Sequence, residues 1–151
     1  MFSETTRAYL QEICIPLRLA CSDEKGRPRV LSLWFVLLDG DLYCATQSSA
    51  RVVRYLQRNP QCAYEIASDE PPYCGVRGRA LAEIQPEKGL EILNMLLERY
   101  LSGTESPLAK TLISKADTEV ALRLRPRSAS TWNFTPRMKE FAGSGQAKPC
   151  P

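Results

Sequence analysis

The chain has 151 residues, a formal net charge of +3, 44% hydrophobic residues, six cysteines and no histidine. This length fits one domain, the hydrophobic content is too high for a disordered chain, and no apolar stretch is long enough to span a membrane. The lack of histidine excludes Ser-His-Asp and Cys-His catalytic sites, histidine-containing zinc sites and imidazole-ligated haem.

The first part of the chain predicts a helix and two extended runs. Residues 3–14 carry apolar side chains three and four positions apart, and Pro16 ends this helix. Residues 17–22 and 29–38 are extended runs separated by a polar turn of the hairpin kind. The second run is apolar at nearly every position, which predicts a central strand buried on both faces.

A hairpin and a second helix follow. The pair Asp39-Gly40 is a strong hairpin signal that leads into a strand over residues 42–46. Ser48 or Ser49 then offers an N-cap for a helix over residues 51–58, whose apolar side chains share one face.

The second half of the chain predicts two strands, then two helices, then two more strands. The strands are expected over residues 62–67, 73–84, 119–125 and 128–134, and the helices over residues 86–101 and 107–114. Two glycines inside the strand over residues 73–84 mark a bulge or a close backbone approach. These elements predict a mainly β fold, a six- to seven-stranded antiparallel β-barrel with inserted helices, in a single domain over residues 1–138. Residues 139–151 are expected to form a flexible tail.

The cysteines are expected to be reduced thiols that pack as small hydrophobic residues on strands. The N-terminal residues lack the basic-then-apolar order of a signal peptide, so we expect a cytoplasmic protein with no membrane association. No two cysteines form a C-x-x-C pair, and we therefore expect no metal site.

The first candidate site lies where the strand over residues 42–46 runs into the next helix. Thr46, Ser48, Ser49 and Arg51 place hydroxyl groups and a guanidinium at a helix N-terminus, where backbone N–H groups favour a phosphate. The same residues fit a serine cap followed by a solvated basic helix face, and spacing alone favours that interpretation.

Two further clusters each allow two interpretations. Gly75 and Gly78, next to arginines, suit either a flat ligand or a bulge at a barrel corner, and the bulge is favoured. Arg123, Arg125 and Trp132 belong to a basic and aromatic segment that could meet nucleic acid. The small net charge and the alternation of the arginines favour the solvent face of a strand instead.

Taken in order, several segments carry a resemblance that covers residues 10–138. They are Val30-Leu31-Ser32-Leu33-Trp34-Phe35-Val36, Asp39-Gly40-Asp41-Leu42-Tyr43, Thr46 through Arg51-Val52-Val53-Arg54-Tyr55-Leu56 to Asn59-Pro60, Tyr73-Cys74-Gly75-Val76-Arg77-Gly78-Arg79-Ala80, and Trp132-Asn133-Phe134 followed by Arg137-Met138. This order resembles the pyridoxamine 5'-phosphate oxidase-related, FMN-binding split-barrel family.

The resemblance implies a homodimer of split β-barrels with FMN in two clefts at the interface. It assigns the phosphate to Arg51 with Thr46, Ser48 or Ser49, and Arg54 assists. The strand that contains Leu31, Ser32, Leu33 and Trp34 would lie against the flavin ring. Trp132 and Arg137 would approach from the partner's end of the cleft.

The resemblance also limits the reaction. Authentic pyridoxamine phosphate oxidases handle their substrate with an arginine and histidine pair, and haem-degrading relatives use a histidine ligand, which this chain lacks. An FMN-dependent oxidoreductase of unassigned substrate is therefore implied, with hydride transfer through the flavin. The alternatives are a non-enzymatic flavin- or deazaflavin-binding protein and, less favoured, a basic nucleic-acid-binding module. No residue stands out as the catalytic acid or base.

Overall fold

The protein is an antiparallel sheet with inserted helices, described over residues 2–138 and 150–151 in a computed structural model. The helices are α1 Glu4–Glu12, α2 Arg51–Arg58, α3 Gly89–Leu101 and α4 Pro107–Ile113. The strands are β1 Leu17–Ser22, β2 Pro28–Leu33, β3 Val36–Leu38, β4 Asp41–Gln47, β5 Gln61–Ala67, β6 Cys74–Gln85, β7 Glu119–Pro126 and β8 Ser130–Asn133. Most of the predicted tail, residues 139–149, lies outside the described residues.

The sheet curls into a half-barrel. Seven strands follow one path in the order β2-β1-β5-β6-β7-β4-β3, and β8 pairs with β6 off this path. Every pairing is antiparallel. Since β2 and β3 are consecutive in the chain but form the two ends of the path, the barrel is split where the chain passes from one to the other. The predicted antiparallel split β-barrel is thereby confirmed.

The core has two layers, one on each face of the sheet. Leu42 and Cys44 of β4 point into the curled sheet, where Leu56 of α2 packs with them in the same cluster. Tyr43 lies on the opposite face, against Ile92 of α3. Strand β4 therefore packs against α2 on one face and against α3 on the other.

The apolar run over residues 29–38 differs from its prediction. It forms two short strands at the edges of the sheet instead of one central strand, and Val30 is 71% exposed. The break falls at Phe35, which is fully buried and whose backbone N–H donates to the Tyr100 hydroxyl over 3.3 Å. That hydroxyl in turn donates to the Ile15 carbonyl over 2.9 Å, and the Tyr100 ring stacks on Trp34 at 4.9 Å. Tyr100 of α3 thus keeps residues 29–38 from forming one continuous strand.

Gly78 allows a loop to cross directly over β6. A Cβ atom at this position would lie 1.9 Å from the Ser128 carbonyl oxygen and 2.6 Å from the Tyr64 hydroxyl. The pairing of β5 with β6 runs through Gly78 and Gly75 without a bulge. Close backbone approach, and not a bulge, is therefore the reason for glycine here.

The cysteines divide into three groups. Cys21, Cys44 and Cys62 are buried thiols, as predicted, whereas Cys14 is exposed. Cys74 and Cys150 form a disulfide, so the prediction that all six are reduced is wrong for this pair. Within residues 2–138 and 150–151, no helix is both long and apolar enough to cross a membrane.

Candidate functional site

Strand β2 lines two cavities in succession. The first, which we call the basic cavity, has a volume of about 230 Å³ and is lined by Arg29, Val30, Leu31, Arg51, Val52 and Tyr55. The second, which we call the leucine cavity, has a volume of about 320 Å³ and is lined by Ser32, Leu33, Trp34, Ala45, Leu93, Leu96, Leu108, Leu112 and Glu119. The strand therefore joins a positively charged end to an apolar end within six residues.

The basic cavity combines a guanidinium with the N-terminus of α2. The helix begins at Arg51, and its N-cap is Ala50, which makes no side-chain cap bond. The prediction of a serine cap at Ser48 or Ser49 is wrong, because the N-cap position falls on Ala50. The Ser48 backbone N–H donates to the Thr118 carbonyl over 2.7 Å. Because no side-chain oxygen caps the first turn of α2, the positive end of the helix dipole remains available to an anion in the cavity.

Arg29 is the second cation of the basic cavity, and sequence reasoning missed it. Asp23, whose side chain is 1% exposed, accepts from the Arg29 Nη2 over 2.8 Å. Burial by itself would raise the pKa of the Asp23 carboxyl. Hydrogen bonds from the backbone N–H groups of Arg27 and Lys25 and from the guanidinium groups of Arg29 and Arg27 hold that pKa well below its usual range. The carboxylate therefore stays ionised and fixes the Arg29 side chain.

The other residues predicted to bind the phosphate do not line the basic cavity. Thr46 is half-buried on β4 opposite Val120 of β7. Arg54 lies on α2 with its guanidinium 4.0 Å from a Glu24 carboxylate oxygen. Among Thr46, Ser48, Ser49, Arg51 and Arg54, only Arg51 lines one of the cavities described for this chain.

Trp132 and Arg137 lie in another part of the molecule. Trp132 is on β8 opposite Gly75, and the Arg77 guanidinium lies 5.1 Å from its ring centroid. Arg137 lies 5.6 Å from the centroid of the Phe134 ring. Within one copy of the described chain, neither residue shares a cavity with Arg51.

A third cavity, which we call the outer cavity, lies between β2 and β8 on the outside of the sheet. It has a volume of about 480 Å³, and Val30 lines both it and the basic cavity. Its charged residues are Arg18, Glu65 and Arg77, which occupy directly opposite positions on β1, β5 and β6. A row of alternating charge thus crosses this face of the sheet.

The leucine cavity contains one carboxylate, that of Glu119. This residue is 7% exposed, and its Oε2 accepts a hydrogen bond from Gln47 Nε2. Burial raises the pKa of the Glu119 carboxyl, and the bond from Gln47 only partly opposes this. Sequence reasoning missed Glu119 because it is the first residue of a strand with regular alternation, where a charged side chain predicts a solvent-facing position.

The arginines of β7 are paired with carboxylates. The Arg123 Nη2 lies 2.7 Å from an Asp41 carboxylate oxygen, and Arg123 and Arg125 approach Glu83 at 3.8 and 3.6 Å. These pairs neutralise Arg123 and Arg125, two of the cations in the segment considered for nucleic-acid binding.

Comparisons with known proteins show the fold. A conserved hypothetical protein from Mycobacterium tuberculosis is 19% identical, with 97% of this chain and 92% of that chain covered and a TM-score of 0.74. An F420 reductase is 24% identical, with 85% of this chain and 98% of that chain covered and a TM-score of 0.71. A protein from Listeria innocua described as a candidate pyridoxamine 5'-phosphate oxidase is 17% identical, with 82% and 92% covered and a TM-score of 0.62.

No family model and no curated protein matches the sequence. The three structures, each below 25% sequence identity, show that the chain shares their fold.

Proposed function

We propose that this chain is an FMN-dependent oxidoreductase whose cofactor phosphate occupies the basic cavity. The observation that carries this is the basic cavity, where the guanidinium groups of Arg29 and Arg51 lie at one end of the edge strand β2. A strand rises about 3.3 Å per residue, so the six residues of β2 span roughly 20 Å. That is enough for a cofactor that has an anionic tail and a flat ring.

The two cations suit a phosphate. Arg29 and Arg51 come from different elements, and Asp23 fixes Arg29 before any ligand arrives. Because Arg27 and Arg29 share this one carboxylate, a net positive charge remains. Preorganised guanidinium groups bind phosphate with charge-assisted hydrogen bonds, and fixing them beforehand reduces the entropy lost on binding. The backbone of Leu31 to Trp34 would then lie against the flavin ring. Bound flavin supplies the hydride chemistry.

Titration with FMN, followed by quenching of flavin fluorescence, tests the phosphate site. Replacing Arg51 by Gln should weaken FMN binding about 10- to 100-fold, because one charge-assisted interaction is lost. Arg58→Gln is the matched control, since it removes the same charge at the other end of α2. Equal affinity of the two variants would show that the phosphate binds elsewhere. A protein that takes up neither FMN nor a deazaflavin would contradict the cofactor proposal itself.

The alternative is a flavin- or deazaflavin-binding protein without catalysis. It predicts the same loss of affinity in Arg51→Gln, but no reduction of the bound flavin by nicotinamide cofactors or a panel of substrates. A nucleic-acid-binding role is disfavoured, because carboxylates neutralise Arg123 and Arg125. The cytoplasmic location remains a prediction from the N-terminal residues.

We also propose that two copies of the chain pair through the outer face of the sheet. Val30 is exposed there, and a twofold axis that lies between Arg18 and Glu65 would set Arg18 of each copy against Glu65 of the other. Pairing would bring Trp132 of one copy towards the cleft of the other. A monomer in sedimentation velocity at micromolar concentration would contradict this.

A further inference from the structure

The leucine cavity is lined mainly by apolar side chains and contains one carboxylate. Leu93 and Leu96 of α3 form its inner wall and are almost fully buried, whereas Leu108 of α4 is 51% exposed at its rim. No lysine or arginine lines it in the described part of the chain, and the lining side chains that can accept a hydrogen bond are Ser32 and Glu119. Because the cavity contains no cation, a phosphorylated or carboxylated molecule has no counter-charge there.

Glu119 has an acceptor oxygen left over. Gln47 Nε2 donates to Oε2, and among residues 2–138 and 150–151 no group donates to Oε1, which is not sealed from solvent. A carboxylate that is removed from water gains most when its remaining lone pairs accept a hydrogen bond. Gln47 is itself held, since its Oε1 accepts from the Thr118 hydroxyl over 2.5 Å. The Glu119 carboxylate, held by Gln47, is therefore a fixed hydrogen-bond acceptor at the wall of an apolar cavity.

We propose that the leucine cavity binds a small uncharged ring molecule that carries one N–H or O–H donor, and that this donor is directed at Glu119. A volume of about 320 Å³ is at the lower end of the range for small-molecule sites, which fits one or two rings. An ammonium group would need three acceptors, and the lining side chains offer only the Glu119 carboxylate and the Ser32 hydroxyl.

The position of the cavity gives this ligand a role. Ser32 and Leu33 of β2, and Trp34 directly after it, line the cavity and belong to the segment expected to lie against the flavin ring. A molecule in the cavity would therefore be next to that ring and would be the substrate. The assignment as substrate rests on the proposed function, whereas binding to the cavity does not require flavin.

Isothermal titration calorimetry with indole and benzofuran tests the proposal. The two molecules have nearly the same shape, but indole presents an N–H donor where benzofuran has an oxygen. We expect indole to bind about 10-fold more tightly to the flavin-free protein, since benzofuran leaves the carboxylate unpaired. In Glu119→Gln, which keeps an acceptor for Gln47, the difference should fall to about threefold or less because the acceptor is no longer charged.

Two further variants test the place of binding. Ala45→Leu fills the leucine cavity and should abolish indole binding, whereas Ala20→Leu puts the same side chain into the outer cavity and should leave it unchanged. Equal affinity for indole and benzofuran would overturn the proposal, as would a difference that survives in Glu119→Gln.

Repeating the indole titration with FMN-loaded protein separates this inference from the proposed function. Independent binding of both molecules is expected. Displacement of indole by FMN would show that the flavin itself fills the cavity, and would overturn the inference. Binding of indole by a protein that takes up no flavin would contradict the proposed function and leave the cavity assignment intact.

Discussion

The break between β2 and β3 depends on one hydroxyl, that of Tyr100. Replacing Tyr100 by Phe keeps the ring that stacks on Trp34 at 4.9 Å and removes only the oxygen. That oxygen accepts from the Phe35 N–H and donates to the Ile15 carbonyl. The substitution therefore tests what holds this turn in place.

The expected loss of stability follows from those two hydrogen bonds. Phe35 is fully buried, so its unpaired N–H would cost about 1–3 kcal/mol, and the lost bond to Ile15 about another 1 kcal/mol. We expect Tyr100→Phe to lower the free energy of unfolding by about 2–4 kcal/mol. For a domain of this size, that corresponds to a fall in Tm of about 5–12 °C.

Urea unfolding followed by circular dichroism measures this loss. Tyr55→Phe is the matched control, because the Tyr55 hydroxyl has no hydrogen-bond partner in the part of the chain that the structure describes. It should change stability by less than about 0.5 kcal/mol. If Tyr100→Phe is equally mild, the hydroxyl does not hold the break.

Three other outcomes are expected. Gly78→Ala should lower the free energy of unfolding by about 2–4 kcal/mol in urea, because its Cβ would meet the Ser128 carbonyl at 1.9 Å and overpack the crossing. The raised pKa of Glu119 means that the folded state holds this proton more tightly than the unfolded state, so this group's contribution to stability is greatest in acid and is lost as pH rises through the folded pKa. Urea unfolding across pH 4–7 should therefore show a smaller decline in Glu119→Gln than in the wild type. Alkylation of denatured, unreduced protein should modify four cysteines and leave Cys74 and Cys150 unmodified in the mass spectrum.

Elements with strong local signals could be predicted from the sequence. Strand β1 and helix α2 have the predicted bounds, Leu17–Ser22 and Arg51–Arg58, because prolines and polar turns close them on the chain itself. The hairpin at Asp39-Gly40 also formed as expected, and both residues have positive φ angles. In each case the decisive contacts are only a few residues apart in sequence.

The site could be predicted only in part, since its other half depends on distant contacts. Arg51 and Leu31 do line one cavity, but the second cation, Arg29, is directed there by a carboxylate in the preceding turn. Glu119 became a buried acceptor because α3 and α4 cover the start of β7. Neither effect is visible in the alternation of apolar and polar residues along a strand, which reports the local face and not what another element places over it.

The apolar run over residues 29–38 shows what such a pattern does report. Its composition predicts burial on both faces, yet the fold places it at the edges of the sheet and leaves Val30 71% exposed. An edge strand that exposes large apolar side chains invites pairing or aggregation unless something covers it. Three cavities border this strand, so the cover that the composition predicts would come from a ligand and a second copy of the chain. On this argument, the expectation of a buried strand was wrong about the sheet position, but it points to the surface that we propose for binding.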